Sequence, residues 1–236
     1  MSNTIKPSKE LVTIYEPESA AAEAFRTLRT NLSLRNFDKE LKVINIISAS
    51  SKEAKTTTAL NLAYVYSQLG KSVLVIDSDL RLPSVHKKLN IKNGNGLTNV
   101  VSGTCKFEDA VVSYTKRLDV LPSGTKIPFS SELVQSKRYK DLIEGCKQRY
   151  DIVIIDCPPI NLVTDAMIIS TYTDGTVMIV ASNQVEKKEL EHTKDLLNQF
   201  NVNVVGIVMT KMPIQKKYYN YDYGYGYTSE KKSKKK

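Results

Sequence analysis

The chain has 236 residues, 41% of them hydrophobic, and a formal net charge of +9. That length suits one α/β domain with a sizeable core, three cysteines without framework spacing argue against a disulfide scaffold, and no apolar run is long enough to cross a bilayer. The charge is uneven: from Lys211 to Lys236 eight lysines stand against Asp222 and Glu230, so the body is near neutral, which argues against a specific nucleic-acid surface and leaves a basic tail.

Residues 1–17 are polar and are expected to form a loose N-terminal arm. They contain no apolar h-region, so no signal peptide is expected. The scarce cysteines suit a reducing compartment, the cytosol. The segment "PESAAAEAFRTLRTNLSL" predicts a helix capped by Ser19, with Ala24, Phe25, Leu28 and Leu32 on its apolar side. "KVINIIS" predicts a short strand, "TTALNLAYVYSQLG" a helix ended by Gly70, and "KSVLVID" a strand buried on both faces. "SVHKKLN" and "FEDAVVS" predict short helices, and "LDVLPSG" a strand running into a loop. "SSELVQSKRYKDLIEGCKQRY" predicts one helix capped by Ser130 or Ser131. "DIVIID" is a third buried strand. A helix over "VTDAMIISTY", a strand over "GTVMIVAS", a helix over "KKELEHTKDLLNQF" and a last strand over "VNVVGIVM" complete the body.

This alternation predicts an α/β fold with a doubly wound, mostly parallel sheet and helices on both faces. Residues 18–212 form its single domain, and 213–236 a disordered tail rich in tyrosine and lysine. Ligands of such sheets bind at the carboxyl ends of the strands, so the loops after Ile47, Ile76 and Ile155 are expected to converge. The first, "ISASSKEAKTTTALNLA", has the layout of a phosphate-binding loop, with Ala49 and Ala54 at the two glycine positions of G-x-x-x-x-G-K-[ST]. Lys55 is placed to grip phosphates and Thr56 to ligate Mg²⁺, and the following helix points its positive end at the anion. Asp77, Asp79 and Asp156 follow buried strands, where a hard metal ion wants carboxylates. His86 and His192 lack partner spacing and are expected at the surface; Cys157 is read as a small apolar filler.

Taken together these segments resemble the cytoplasmic kinase of bacterial protein-tyrosine kinases, the BY-kinase group of deviant-Walker P-loop NTPases serving capsule and exopolysaccharide production. "KEAKTTTALNLA", "VLVIDSDLRLP" and "DIVIIDCPP" are similar to its Walker A, A′ and B motifs, and "EAFRTLR" to its E-x-x-R-x-x-R pattern. The resemblance implies ATP and Mg²⁺ as cofactors. It places Ser51, Lys52, Glu53, Ala54, Lys55, Thr56 and Thr57 around the nucleotide. Thr56, Asp77 and Asp156 would hold the metal, with Asp79 helping to order it. Asp77 would take the tyrosyl proton, and Arg81 would act at the phosphate or a subunit contact. Glu23, Arg26 and Arg29 would support ring-like self-association, and Tyr218, Tyr219, Tyr221, Tyr223, Tyr225 and Tyr227 would be autophosphorylated. The resemblance further implies an activating membrane polysaccharide co-polymerase that brings the chain to the inner face of the membrane.

The relatives' P-G-E-G-K-S becomes Ser51-Lys52-Glu53-Ala54-Lys55-Thr56, without either glycine, and Thr210 replaces an adenine-reading asparagine. The stretch "GTKIPFSSELV" likewise lacks the group's asparagine. Two other readings stay open: a degenerate kinase that binds nucleotide weakly and acts as an assembly partner, and a partitioning-type ATPase. The latter carries an extra lysine at the position of Ser50 and has no use for six terminal tyrosines.

Overall fold

The computed structural model describes residues 8–35 and 41–213. Its strands are β1 (Val43–Ser48), β2 (Val73–Asp77), β3 (Val112–Thr115), β4 (Leu118–Leu121), β5 (Ile152–Asp156), β6 (Gly175–Ala181) and β7 (Val204–Thr210). They form one sheet in the order β3-β4-β2-β5-β1-β6-β7. Neighbours run parallel except β3, which is antiparallel to β4.

Every residue of β1, β2 and β5 is buried. Period-two alternation divides their side chains between two cores. Ile44, Ile46, Val73, Val75 and Ile154 pack on one face with Leu60 and Ala63 of helix α3 (Lys55–Ser67). Val43, Ile47, Leu74, Ile76 and Val153 pack on the other with Tyr139 and Ile143 of α8 (Lys137–Arg149) and Ile169 of α9 (Asp165–Ser170). Asn45 is the polar exception in β1. It is satisfied in place: its amide nitrogen donates to Ser170 Oγ, and its oxygen accepts from Thr173 and Thr176.

Three local readings change. Residues 8–15, expected to belong to a loose arm, dock on α3 and include helix α1 (Val12–Tyr15). Leu11 is fully buried, and Thr13 donates from its amide and hydroxyl to Asn61 Oδ1. The expected helix over 130–150 is two, α7 (Ser130–Gln135) and α8. Ser136 is extended between them and caps α8 by accepting from Tyr139 N, whereas α7 has no side-chain cap. The expected helix over 107–113 is only α6 (Phe107–Ala110); Val112 turns into edge strand β3. Helix α5 (Leu97–Ser102) was not foreseen. The remaining helices are α2 (Ala20–Leu34), α4 (Val85–Leu89) and α10 (Lys187–Gln199). Ser19 caps α2 as expected, by accepting from Ala22 N, although Ala22 rather than Ala24 is buried.

Candidate active site

The sheet order sets β5 between β1 and β2, so the three motif loops leave side by side. Asp77 and Asp156 are register partners on β2 and β5. Thr56, in the first turn of α3, donates its hydroxyl to Asp156 Oδ2 at 2.6 Å and shares a 2.8 Å contact with Ser84 Oγ. Asp77 Oδ2 accepts from the amides of Ser84 and Val85. The other oxygen of each aspartate, Oδ1, is buried without a hydrogen-bond partner. Burial pushes the Asp156 carboxyl up to about 7, against the opposing pulls of the Thr56 hydroxyl and the Lys55 ammonium. Burial, and next the charge of Asp156, push Asp77 well above the usual carboxylate range. Two orphaned carboxylate oxygens beside a threonine hydroxyl suit a hard divalent cation completed by phosphate oxygens and water. Among the described residues no three His, Cys, Asp or Glu side chains group into a self-sufficient metal cage.

The loop keeps the backbone of a glycine-rich loop without its glycines. Lys52 has φ 62° and Ala54 has φ 68°, both left-handed, at the two positions where the P-G-E-G-K-S pattern of the resemblance has glycine. Each such non-glycine residue costs about 1–2 kcal/mol. Ala54 immediately precedes α3, which therefore begins at Lys55, two residues earlier than the sequence suggests.

A cavity of about 660 Å³ opens over this loop. Ser51, Lys52, Ala54, Lys55, Thr56 and Thr57 line it, with Asp79, Arg81, Lys88 and Lys211 on its walls and Leu82, Leu162 and Val163 also exposed to it. A second cavity of about 680 Å³, between residues 93–95 and 123–126, is lined by uncharged residues, Leu80 and Pro83 among them, apart from Lys126, and presents no carboxylate. Its chemistry does not match that of a metal-assisted phosphate site.

Other expected residues take more particular positions. Glu53 turns its carboxylate into the protein rather than toward the phosphates: Oε1 accepts from Ser50 N and Oε2 from Ala181 N. Asp79 lines the cavity and accepts from Leu82 N, whereas Asp77 lies fully buried. Arg81 places its Nε 3.5 Å from the buried Asp165 and donates to Ser131 Oγ. Arg26 pairs with Glu23 in its own helix, and Arg29 donates to the carbonyl of Val65. Thr210, at the asparagine position, donates to the Glu53 carbonyl. Tyr218, Tyr219, Tyr221, Tyr223, Tyr225 and Tyr227 lie outside the described residues. His192 is exposed and His86 half-buried. Cys157 is fully buried, its thiol raised well above its usual range by burial.

Sequence reasoning missed Ser84, Lys88 and Glu10. Glu10 accepts from Lys88 Nζ at 2.8 Å and from Thr57 Oγ1 at 3.1 Å, so the N-terminal segment reaches the cavity edge. The lysine hydrogen bond chiefly holds Glu10 below the usual carboxylate range. No local pattern marks this contact, since Glu10 and Lys88 lie 78 residues apart.

Sheet order, strand-end carboxylates and loop backbone together define a P-loop NTPase-type α/β protein. The family model described as an AAA domain matches residues 41–207. The tyrosine-protein kinase YwqD of Bacillus subtilis is 39% identical over 209 residues, covering 88% of each chain. The tyrosine-protein kinase CpsD of Streptococcus pneumoniae serotype 4 is 34% identical over 203 residues, covering 84% of this chain and 88% of the relative. The crystal structure of the chimerical protein CapA2B2 superposes with a TM-score of 0.83 at 34% identity, over 89% of this chain and 93% of the other. The chain belongs to the bacterial tyrosine-protein kinases.

Proposed function

We propose that this chain is an ATP- and Mg²⁺-dependent autokinase that phosphorylates its C-terminal tyrosine cluster, one protomer serving the next, and thereby regulates capsular or exopolysaccharide synthesis and export. The observation that carries this reading is the assembly at one cavity of Lys55, Thr56 and Asp79, backed by the orphaned oxygens of Asp77 and Asp156.

Lys55, in the first turn of α3, presents its ammonium where β- and γ-phosphates would lie, at the positive end of the helix. The Thr56 hydroxyl and the Asp156 and Asp77 carboxylates would hold the cation, which when bound neutralises charge on the triphosphate. Asp79 and Asp77 supply the carboxylates for the phenolic proton, which must leave a group of pKa near ~10. Of the two, Asp79 is the one on the cavity wall. Leu82 and Leu162, both largely exposed, give an entering tyrosine ring an apolar surface.

The tail joins the body at Lys211, beside the cavity. The 15 residue-to-residue steps from Met212 to Tyr227 can stretch roughly 50 Å at about 3.3–3.6 Å each, enough to reach another protomer. Glu23, Arg26 and Arg29 on α2 provide a charged face for ring-like assembly, and a co-polymerase tail brings the kinase to the inner face of the membrane and activates it. No described helix is long and apolar enough to cross a membrane, which suits attachment through such a partner. Phosphorylation adds about −1.5 to −2 charges per tyrosine, reversing the tail's charge and favouring its release from the neighbour.

One observation favours the rival reading of a weak-binding assembly partner: the strain at Lys52 and Ala54. The retained left-handed backbone counts against it, because the phosphate-facing loop shape survives. The deciding experiment incubates the protein with Mg-ATP, with and without co-polymerase tail peptides, and reads tail phosphotyrosine by mass spectrometry. Phosphotyrosine that disappears in Lys55→Met supports the kinase; none with any peptide supports the assembly partner.

A further inference from the structure

We propose that Glu53 is the positioning residue that holds the phosphate loop in its left-handed shape, doing by hydrogen bonding what glycine does by conformational freedom. This inference rests on the nucleotide-binding reading of the loop. Glu53 lies between the two left-handed residues, Lys52 and Ala54, and is itself 1% exposed. Its carboxylate ties two strand ends together, taking Ser50 N just beyond β1 at 2.6 Å and Ala181 N at the end of β6 at 2.9 Å. The end of β7 completes the brace. Thr210 Oγ1 donates to the Glu53 carbonyl at 2.9 Å, and Lys211 Nζ donates to the Lys52 carbonyl at 2.6 Å. Both peptide groups that a relaxing loop would have to rotate are thus anchored from outside it.

The chemistry singles out a carboxylate. Only an ionised acid offers acceptors on both branches; glutamine supplies one, and its NH₂ would meet a backbone N–H head-on. Hydrogen bonds to an ionised acceptor are also the stronger kind. Electrostatics alone argue the other way, since a buried anion beneath a polyphosphate site repels the ligand. The two effects predict opposite signs for the isosteric change. If Glu53 acted only through its charge, Glu53→Gln would tighten nucleotide binding; as a brace, its loss weakens it.

The test measures binding of a fluorescent ATP analogue with Mg²⁺, and KM and kcat for tail phosphorylation. It compares native protein, Glu53→Gln, the Lys52→Gly/Ala54→Gly pair and the triple variant. We expect Glu53→Gln to weaken binding and raise the KM for ATP at least tenfold, with kcat at saturating ATP within about threefold. With both glycines restored, the same change should cost less than threefold, because the loop no longer needs the brace. Thr210→Val, which removes one donor on the surface of the brace, should show the same glycine rescue with a smaller effect; it decides the matter if Glu53→Gln does not fold. Unchanged or tighter binding, or an equal loss in both loops, overturns the brace. A native chain that binds no nucleotide overturns the nucleotide reading and this inference with it.

Discussion

Asp77 and Asp156 sit opposite one another on adjacent parallel strands, each with a buried oxygen that finds no partner. With burial holding Asp156 protonated to about 7 and Asp77 shifted in the same direction, the folded state binds more protons than the unfolded chain above the ordinary carboxylate range. Stability of the nucleotide-free protein therefore falls as pH rises from about 4 to about 7. In thermal melts without metal, Asp156→Asn should flatten this fall and raise the midpoint at pH 7.5. A pH profile identical to that of the native protein contradicts the assignment.

Thr56 supplies the buried hydroxyl on Asp156 Oδ2. Thr56→Val keeps the shape but leaves that oxygen unpaired, a cost of about 1–3 kcal/mol. Urea unfolding should show this loss, and tyrosine phosphorylation should fall at least tenfold at fixed Mg²⁺. Full activity would remove Thr56 from the cation site.

The two alanines at glycine positions of the loop are not equivalent. Ala54 has a left-handed backbone, whereas Ala49 does not. Ala54→Gly should stabilise by about 0.5–1 kcal/mol, the relieved strain less the extra freedom of the unfolded chain. Ala49→Gly should lose about 0.5–1 kcal/mol. Chemical denaturation of the two variants compares them directly.

Leu11 is fully buried although its neighbours in sequence look like a free arm. Leu11→Ala should cost about 2–5 kcal/mol. A change within experimental error would mean that residues 8–15 do not pack on α3 in solution.

The central strands were legible because double burial leaves an unbroken apolar run, as in "VLVID" and "IVIID". Their carboxylate ends were legible for the same reason: an aspartate closing such a run must face the rim. Some short elements were legible too, as α4, β4 and α9 were, but others were not. Val112–Thr115 is only four residues long and follows a helical start, and α5 contains β-branched residues of poor helix propensity. Gly96 and Gly124 let α5 pack: a Cβ on Gly96 would lie 2.3 Å from the Pro122 carbonyl oxygen. Ser136 broke the expected long helix because its side chain serves the backbone of the next one, a choice invisible to hydrophobic spacing. Within the candidate site, the loop residues that line the cavity could be named from the loop alone. The groups that shape the loop could not: Ala181 and Thr210 stand 128 and 157 residues from Glu53.

The last residue of β7, Thr210, and the next, Lys211, grasp the loop's carbonyl oxygens, and the polypeptide runs on from there toward its tyrosines. The tyrosine-bearing segment is thus tied at its root to the protomer's own Lys52–Ala54 loop. Shortening the chain after residue 213 spares that knot, whereas ending it at 209 unties it. A chain trimmed for convenience at the last apolar residue of β7 would therefore lose more than its tail.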